Sequence, residues 1–294
     1  MEESVMKMQR LARRELFVAL SFLTPSFIGF CLFYLIPFGT SLLYSFQDGL
    51  NRSSLTLSNY KELLLSSSFQ KAAANTFWFT AVSVPILVTL SLVVALLLNQ
   101  RVFFRNLLRT AYVLPLVVPV ASIVLVWQIL FDWNGAMNVV LNHFGLNRID
   151  WMKSDWAGFV VILIYIWKNI GYNVVLFLAG LQNIPDQYYE IANLEGASSR
   201  RKFFSITLVY LTPTTFLVVL MSILNSFKVF RETYLVAGAY PHDRIYMMQH
   251  YMNNMFLSLD IQKLSAAATL MALSILVLVL ILFRAEKKFR SFME

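Results

Sequence analysis

The fourth of six apolar segments in this sequence carries Lys168, Asn169, Gly171, Tyr172 and Asn173. The fifth ends on Asn225 and Ser226, followed by Lys228 and Arg231. Polar and ionisable side chains in apolar segments of membrane-spanning length are costly there and commonly functional. Asn and Ser both donate and accept hydrogen bonds, which suits a hydroxyl-rich ligand. Tyr172 offers a ring on which a ligand face can stack. Each has a structural alternative: Asn173 and Asn225 as hydrogen bonds between helices, Tyr172 as packing, Lys168 as a cation reaching the interface. Bond-making chemistry is harder to assemble. His143, His242 and His250 form no HExxH pair, GxSxG is absent, and Cys31 has no companion cysteine. The phosphate loop GxxxxGK[ST] is also absent, so nucleotide chemistry, if used, belongs to another chain. His242 beside Asp243 is the nearest approach to a metal pair, and a solvated loop is the simpler account of it.

These residues are positioned only if the segments around them cross a bilayer, and the composition points that way. Of 294 residues, 58% are hydrophobic and 14% charged, against about 25% charged in soluble domains. So few charges cannot cover a soluble surface, which excludes a disordered chain and an ordinary cytoplasmic enzyme. A spanning helix needs about 20 mostly apolar residues. Six segments qualify, over residues 17–46, 75–98, 108–131, 157–180, 204–227 and 264–284. The expected fold is therefore all-α, a single transmembrane domain over residues 1–294. The N-terminal apolar run is too long for a signal-peptide core and lacks a small-residue cleavage site, so it reads as a retained first span. Pro25, Pro37, Pro85, Pro115, Pro119 and Pro213 fall inside the spans and predict kinks.

The net charge of +8 resolves into topology. With the N-terminus in the cytoplasm, 14 of the 24 basic residues face inward. They include Arg101, Arg105 and Arg109 in one short loop. Nine face outward, and Lys168 lies in a span. That asymmetry places both termini in the cytoplasm and leaves no need for a nucleic-acid partner. Outside the spans, the spacing of Tyr60, Leu63, Leu64 and Phe69 predicts an external helix over residues 58–77. Residues 132–155 read as a turn-rich external loop.

The loop at residues 185–202, between the fourth and fifth spans, has a specific pattern. Asp186 is placed to cap a helix beginning after Pro185. Ile191 and Leu194 form an apolar ridge three residues apart. Gly196 suits a left-handed helix end, and Ser198 suits the cap of the next short helix, which carries Arg200, Arg201 and Lys202. Ala192, Gly196 and Ala197 allow another surface to approach closely. An amphipathic loop packed on its own helix ends would have the same spacing.

This loop resembles the EAA loop of the membrane subunits of bacterial ABC importers, whose pattern is EAA, three residues, Gly, and later Ile-x-Leu-Pro. Glu190, Ala192, Gly196, Ile206 and Leu208 match. Ile191 replaces the second alanine, Glu195 stands where Asp is usual, and Val209 replaces the proline, with Pro213 a turn later. The resemblance extends along nearly the whole chain. It takes in Leu23-Thr24-Pro25-Ser26, Asn59-Tyr60, Asn75-Thr76, Phe104-Arg105 with Leu114-Pro115, Asp150-Trp151, Leu178-Ala179-Gly180-Leu181 and Ser226-Phe227-Lys228-Val229-Phe230. It is strongest to the first permease of carbohydrate importers of the maltose and glycerol-phosphate type. Gly238-Ala239-Tyr240-Pro241 departs from the usual Gly-Gly-Pro.

The resemblance implies a second permease, two copies of an ABC ATPase subunit that uses ATP and Mg, and an extracytoplasmic solute-binding protein, all at a bacterial or archaeal plasma membrane. It implies no enzyme activity and no cofactor on this chain. Glu190, Ala192, Leu194, Glu195, Gly196 and Ala197 would contact the ATPase, and a sugar or oligosaccharide would pass Lys168, Gly171, Tyr172, Asn173, Asn225, Ser226, Lys228 and Arg231. Lys168 has a further option, a carboxylate of the second permease. Arg231 stands where many relatives have Asp, and with Lys228 and Lys168 it would favour an acidic sugar. A permease for another polar solute is the first alternative. An ion-coupled secondary transporter would need carboxylates within the membrane, and none lies in the six predicted spans.

Overall fold

The computed structural model describes residues 2–48, 54–99, 114–115 and 118–290. The arginine-rich loop with Arg101, Arg105 and Arg109, and residues 108–113 and 116–117 of the third expected span, lie outside the described residues. Six helical stretches among the described residues are long and apolar enough to cross a membrane: Phe17–Phe46, Ser67–Asn99, Val120–His143, Ala157–Gln182, Thr212–Ala237 and Ile261–Lys288. The only β geometry described is one bridge between Gln47 and Leu55. The chain is an all-α protein with six candidate membrane helices.

Two compact units divide it. The first comprises residues 1–63 and 260–269. Here α1 (Glu2–Phe30) passes through a π-helical turn, Cys31–Leu35, into α2 (Ile36–Phe46). The wider turn comes just before Pro37, which has no N–H to continue the regular ladder. None of the most apolar window of Phe17–Phe46 is buried within the chain. A short helix, α3 (Ser58–Leu65), follows. Asn59 Nδ2 donates to the carbonyls of Ser45 at 3.0 Å and Gln47 at 2.8 Å, fastening the end of α2.

The second unit, residues 64–259 and 270–294, holds the rest. Ser66 interrupts the external helix expected over residues 58–77, and Phe69 belongs instead to the 33-residue α4 (Ser67–Asn99). The Ser66 hydroxyl accepts from the Phe69 N–H at 3.4 Å, a capping contact that starts the new helix. Next comes α5 (Val120–Phe131), which begins after the extended Pro119. The expected loop at 132–155 contains a helix, α6 (Ala136–His143). Its organiser is the buried Asn138, whose amide donates to three carbonyls while its oxygen accepts from Ile149 N–H and Trp151 Nε1.

The core forms where α4 packs on α7 (Ala157–Gln182) and α11 (Thr212–Ser226). Phe177, Leu211, Val218 and Ala95 are fully enclosed at one end of this core, Phe79, Leu87 and Tyr165 toward the other. In lipid the apolar surroundings supply little driving force for helix association, so close packing must. Gly180 shows the demand: a Cβ there would lie 2.5 Å from Thr214 Oγ1 and 2.9 Å from Leu211 Cδ2.

Between α7 and α11 lie α8 (Asp186–Leu194), α9 (Ser199–Lys202), a π turn at Phe203–Thr207 and α10 (Leu208–Tyr210). After α11 the apolar helix bends at residues 227–229 and continues as α12 (Phe230–Ala237). The fifth membrane stretch therefore reaches Ala237, ten residues beyond the expected end at 227. The short helix α13 (Met248–Leu257) and the long α14 (Ile261–Arg290) complete the chain.

Candidate functional site

The bend between α11 and α12 opens a cavity of about 380 Å³. Tyr165, Lys168 and Asn169 of α7 line one wall. Asn225, Lys228 and Val229 at the bend, then Phe230, Arg231 and Glu232 of α12, line the other, with Gln249 of α13. The helix turn is what brings Lys228, Arg231 and Glu232 to the same hollow as Lys168.

Lys168 is ion-paired to Glu232 of its own chain. Glu232 is 3% exposed. The fifth predicted span ends at residue 227, which leaves Glu232 in an external loop and outside the candidate residues. The described structure places a carboxylate inside a membrane-length helix, correcting the expectation that no acid lies in one. It also gives Lys168 an internal partner. A buried ion of either sign is expensive alone, and each side chain here compensates the other. A retrievable signal existed: Phe230, Tyr234 and Leu235 keep the sequence apolar on both sides of Glu232.

Neighbouring polar groups are held firmly. Asn169 Nδ2 donates to the Tyr165 carbonyl at 2.8 Å, and its Oδ1 accepts from Asn225 Nδ2 at 3.3 Å. The Tyr165 hydroxyl donates to the Ser222 carbonyl at 2.6 Å. Phe230 packs edge-on against His250, ring centroids 4.8 Å apart. His250 is enclosed, its Nδ1 accepting from the Met247 N–H at 3.3 Å, and burial lowers its pKa to about 4.

Of the eight pathway residues, the cavity gathers Lys168, Asn225, Lys228 and Arg231. The other four lie outside its wall. Asn173 is buried and donates to Ser222 Oγ at 2.8 Å. Ser226 is buried in a hydroxyl pair with Thr80, 2.8 Å apart. Gly171 is buried in α7 and Tyr172 half-buried. Asn169, polar in the same apolar segment, lines the cavity as well, and Tyr165, Glu232 and Gln249 are additions that the tertiary arrangement supplies. The His242–Asp243 candidate is engaged otherwise: Lys71 Nζ lies 2.8 Å from Asp243 and holds its carboxyl below the usual range. No group of three or more potential metal-ligating side chains occurs among the described residues.

The loop at 185–202 forms a second feature. Pro185 itself takes the extended cap position of α8, which moves Asp186 one place on into the first helical turn. There its carboxylate meets the positive end of the helix dipole. Gly196 has φ +72°, a left-handed value. The Ala197 N–H reaches the Ala192 carbonyl at 2.8 Å and the Gly196 N–H that of Asn193 at 3.1 Å. This pair of bonds closes the helix in a Schellman turn. Ser198 caps α9 by accepting from the Arg201 N–H at 3.3 Å. Tyr189, sharing a hydrogen bond with Thr207 Oγ1 at 2.9 Å, anchors α8, as does Lys202, donating to Asn193 Oδ1 at 2.6 Å. No residue of α8 is buried. Glu190 and Glu195 are exposed, Ala192 and Ala197 half-buried, and Leu194 is 89% exposed.

Residues 87–291 match the family model described as the binding-protein-dependent transport system inner membrane component. The chain belongs to this family. It is thus a multi-pass membrane subunit of ABC importers and not itself an enzyme. Among relatives, the arabinooligosaccharides transport system permease of Halalkalibacterium halodurans is 34% identical over 220 residues, 72% of this chain and 69% of that protein. In fold, the chain is similar to a bacterial ABC transporter involved in import of the acidic polysaccharide alginate. The TM-score is 0.83 at 21% identity, covering 96% of this chain and 99% of that one. A second structure of an alginate transporter, in complex with its alginate pentasaccharide-bound periplasmic protein, matches with a TM-score of 0.80 at 21% identity. It covers 92% of this chain and 93% of that one.

Proposed function

We propose that this permease forms half of the translocation pathway for a sugar or oligosaccharide at a bacterial or archaeal plasma membrane. The observation that carries the solute assignment is the cavity at the bend between α11 and α12. Its Asn225 and Gln249 bring amide groups to one hollow beside the Phe230 ring, in a wall completed by the enclosed Tyr165 and Asn169. That mixture suits a ligand with hydroxyls on its edge and an apolar ring face. The named substrate of the arabinooligosaccharide relative is consistent with it.

A second permease supplies the other half of the pathway, and an extracytoplasmic binding protein delivers the solute. Both termini face the cytoplasm, as does α8. Each permease docks on one of two ATPase subunits, which bind ATP and Mg. On this chain the contact is the exposed ridge of Ile191 and Leu194 with Glu190 and Glu195, held by Ala192, Gly196 and Ala197. ATP draws the ATPases together, α8 moves with its ATPase, and the permeases shift toward the outward-open state. The coupling is a two-state equilibrium biased by nucleotide. Glu190 transmits force and does no bond chemistry.

Glu190→Ala and Gly196→Pro test the assignment in proteoliposomes holding the complete importer. Both are expected to abolish ATP-driven uptake and to weaken ATPase co-purification, with normal amounts of permease in the membrane. Normal uptake by both variants would overturn the docking role of α8.

A further inference from the structure

Resting on the sugar-permease assignment above, we infer that the solute is acidic: its carboxylate is bound by Lys228 and Arg231 in the cavity at the bend between α11 and α12. The basis is how the four charged groups of that cavity differ in pairing and exposure. Lys168 and Glu232 are bound to each other, and Glu232 is almost wholly enclosed. Their charges cancel, so that the Glu232 carboxylate in the wall is already neutralised by its partner. Lys228 and Arg231 are both exposed on the cavity wall and have no ion pair among the described residues. The cavity thus carries two positive charges in excess.

The two cations also lie three residues apart across the start of α12, with Phe230 between them. Like charges at such spacing repel, and the repulsion grows where walls of low dielectric replace water. An anion between them relieves it. Arg231 presents a planar fork that matches a carboxylate through two hydrogen bonds, and Lys228 adds a point charge beside it. A neutral sugar would leave both cations unsatisfied. Asn225 and Gln249 remain for hydroxyls, and Phe230 for the apolar face of the ring. Lys168, already neutralised, acts on the solute only through Glu232 and the shape of the wall. Selection therefore falls to Lys228 and Arg231 rather than to the half-buried, ion-paired Lys168 of α7.

The test uses proteoliposomes holding the complete importer with its binding protein. Labelled di- to tetrasaccharides of galacturonate, glucuronate and mannuronate are each offered beside the neutral hexose counterpart. The wild type is expected to take up at least one uronate in preference to its counterpart. The double variant Lys228→Gln/Arg231→Gln should lower the ratio of uronate to neutral uptake by at least about ten-fold, the effect of losing one charge-assisted contact. Arg231→Lys, which keeps the charge but loses the fork, should retain an intermediate ratio and shows that the wall still folds. Preference for the neutral sugar, with a ratio unmoved in the double variant, overturns the acidic solute and leaves the sugar assignment standing. Equal loss of both uptakes in the double variant also overturns it, because the cations then serve docking of the binding protein. Uptake of no sugar of either kind overturns the sugar assignment itself, and this inference with it.

Discussion

On α8 every residue is exposed or half-exposed, with Leu194 at 89%. Around Lys168 the reverse holds: Glu232, Tyr165 and Asn169 are enclosed, and each of these three has a partner on another turn or another helix. The loop helix is shaped by bonds that reach no further than 18 residues along the chain, from Pro185 to Thr207. The cavity is shaped by contacts across 56 and 64 residues of sequence. One surface is finished locally and left bare for something to cover it. The other is closed by this chain, apart from the two cations at its mouth. A residue on the first should therefore affect coupling with little effect on stability, and a residue in the second should affect stability first.

Glu232→Gln is the strongest test of that division. It removes the carboxylate from a largely buried ammonium and should destabilise the protein by about 3 kcal/mol, read as thermal unfolding in detergent. Lys168→Met/Glu232→Leu, which replaces both ions by apolar groups of similar size, should recover most of that loss. A single variant as stable as the wild type would show that the pair is not part of the closed wall and would merge the two regions.

His250 offers a second effect of the same kind, spread over a pH interval. Burial lowers its pKa from the ordinary 6.5 to about 4, so the folded state prefers the neutral ring and the unfolded state binds a proton sooner. Its contribution is complete above about pH 6.5 and is lost as pH falls from there toward 4, on the order of 3 kcal/mol in all. His250→Gln keeps an acceptor for the Met247 N–H but does not titrate. The difference in unfolding temperature between wild type and this variant should shrink, or change sign, over that interval. A constant difference would mean that the ring behind Phe230 is wetter than its burial indicates.

The contrast also explains what the sequence disclosed. The membrane helices were legible because about 20 apolar residues in a row have few other uses. Gly196 and Ser198 were legible because a left-handed helix end and a side-chain cap are local events with narrow residue preferences. Asp186 lies one residue past the cap expected of it, since Pro185 with its fixed φ serves as an entry to the helix. The limits of α4 and α12 were less visible. Ser66 ends one helix and starts another within a single apolar pattern, and the bend after Phe227 looks like the end of a span when its charges are counted in isolation. Glu232 was lost with that boundary. Asn173 and Ser226 shared their composition with the cavity residues, and nothing in residue type tells an amide facing a hollow from one facing Ser222. That distinction lies in the rotation of a helix, which a single sequence leaves open.

Leu194 should give the smallest change in stability and the sharpest separation of the two regions. Its side chain packs on almost nothing, so Leu194→Ser should move the unfolding free energy by no more than about 0.5 kcal/mol. If α8 is covered by an ATPase subunit, the same leucine becomes an apolar anchor at an interface core, where truncation removes a disproportionate share of binding. ATP-driven uptake and ATPase co-purification should then both fall by about ten-fold, while the isolated permease unfolds as before. The opposite outcome, lowered stability with normal uptake, would mean that α8 packs against this chain in the membrane. It would then be the closed region, and the division drawn here between local and long-range surfaces would fail at the helix that most clearly defines it.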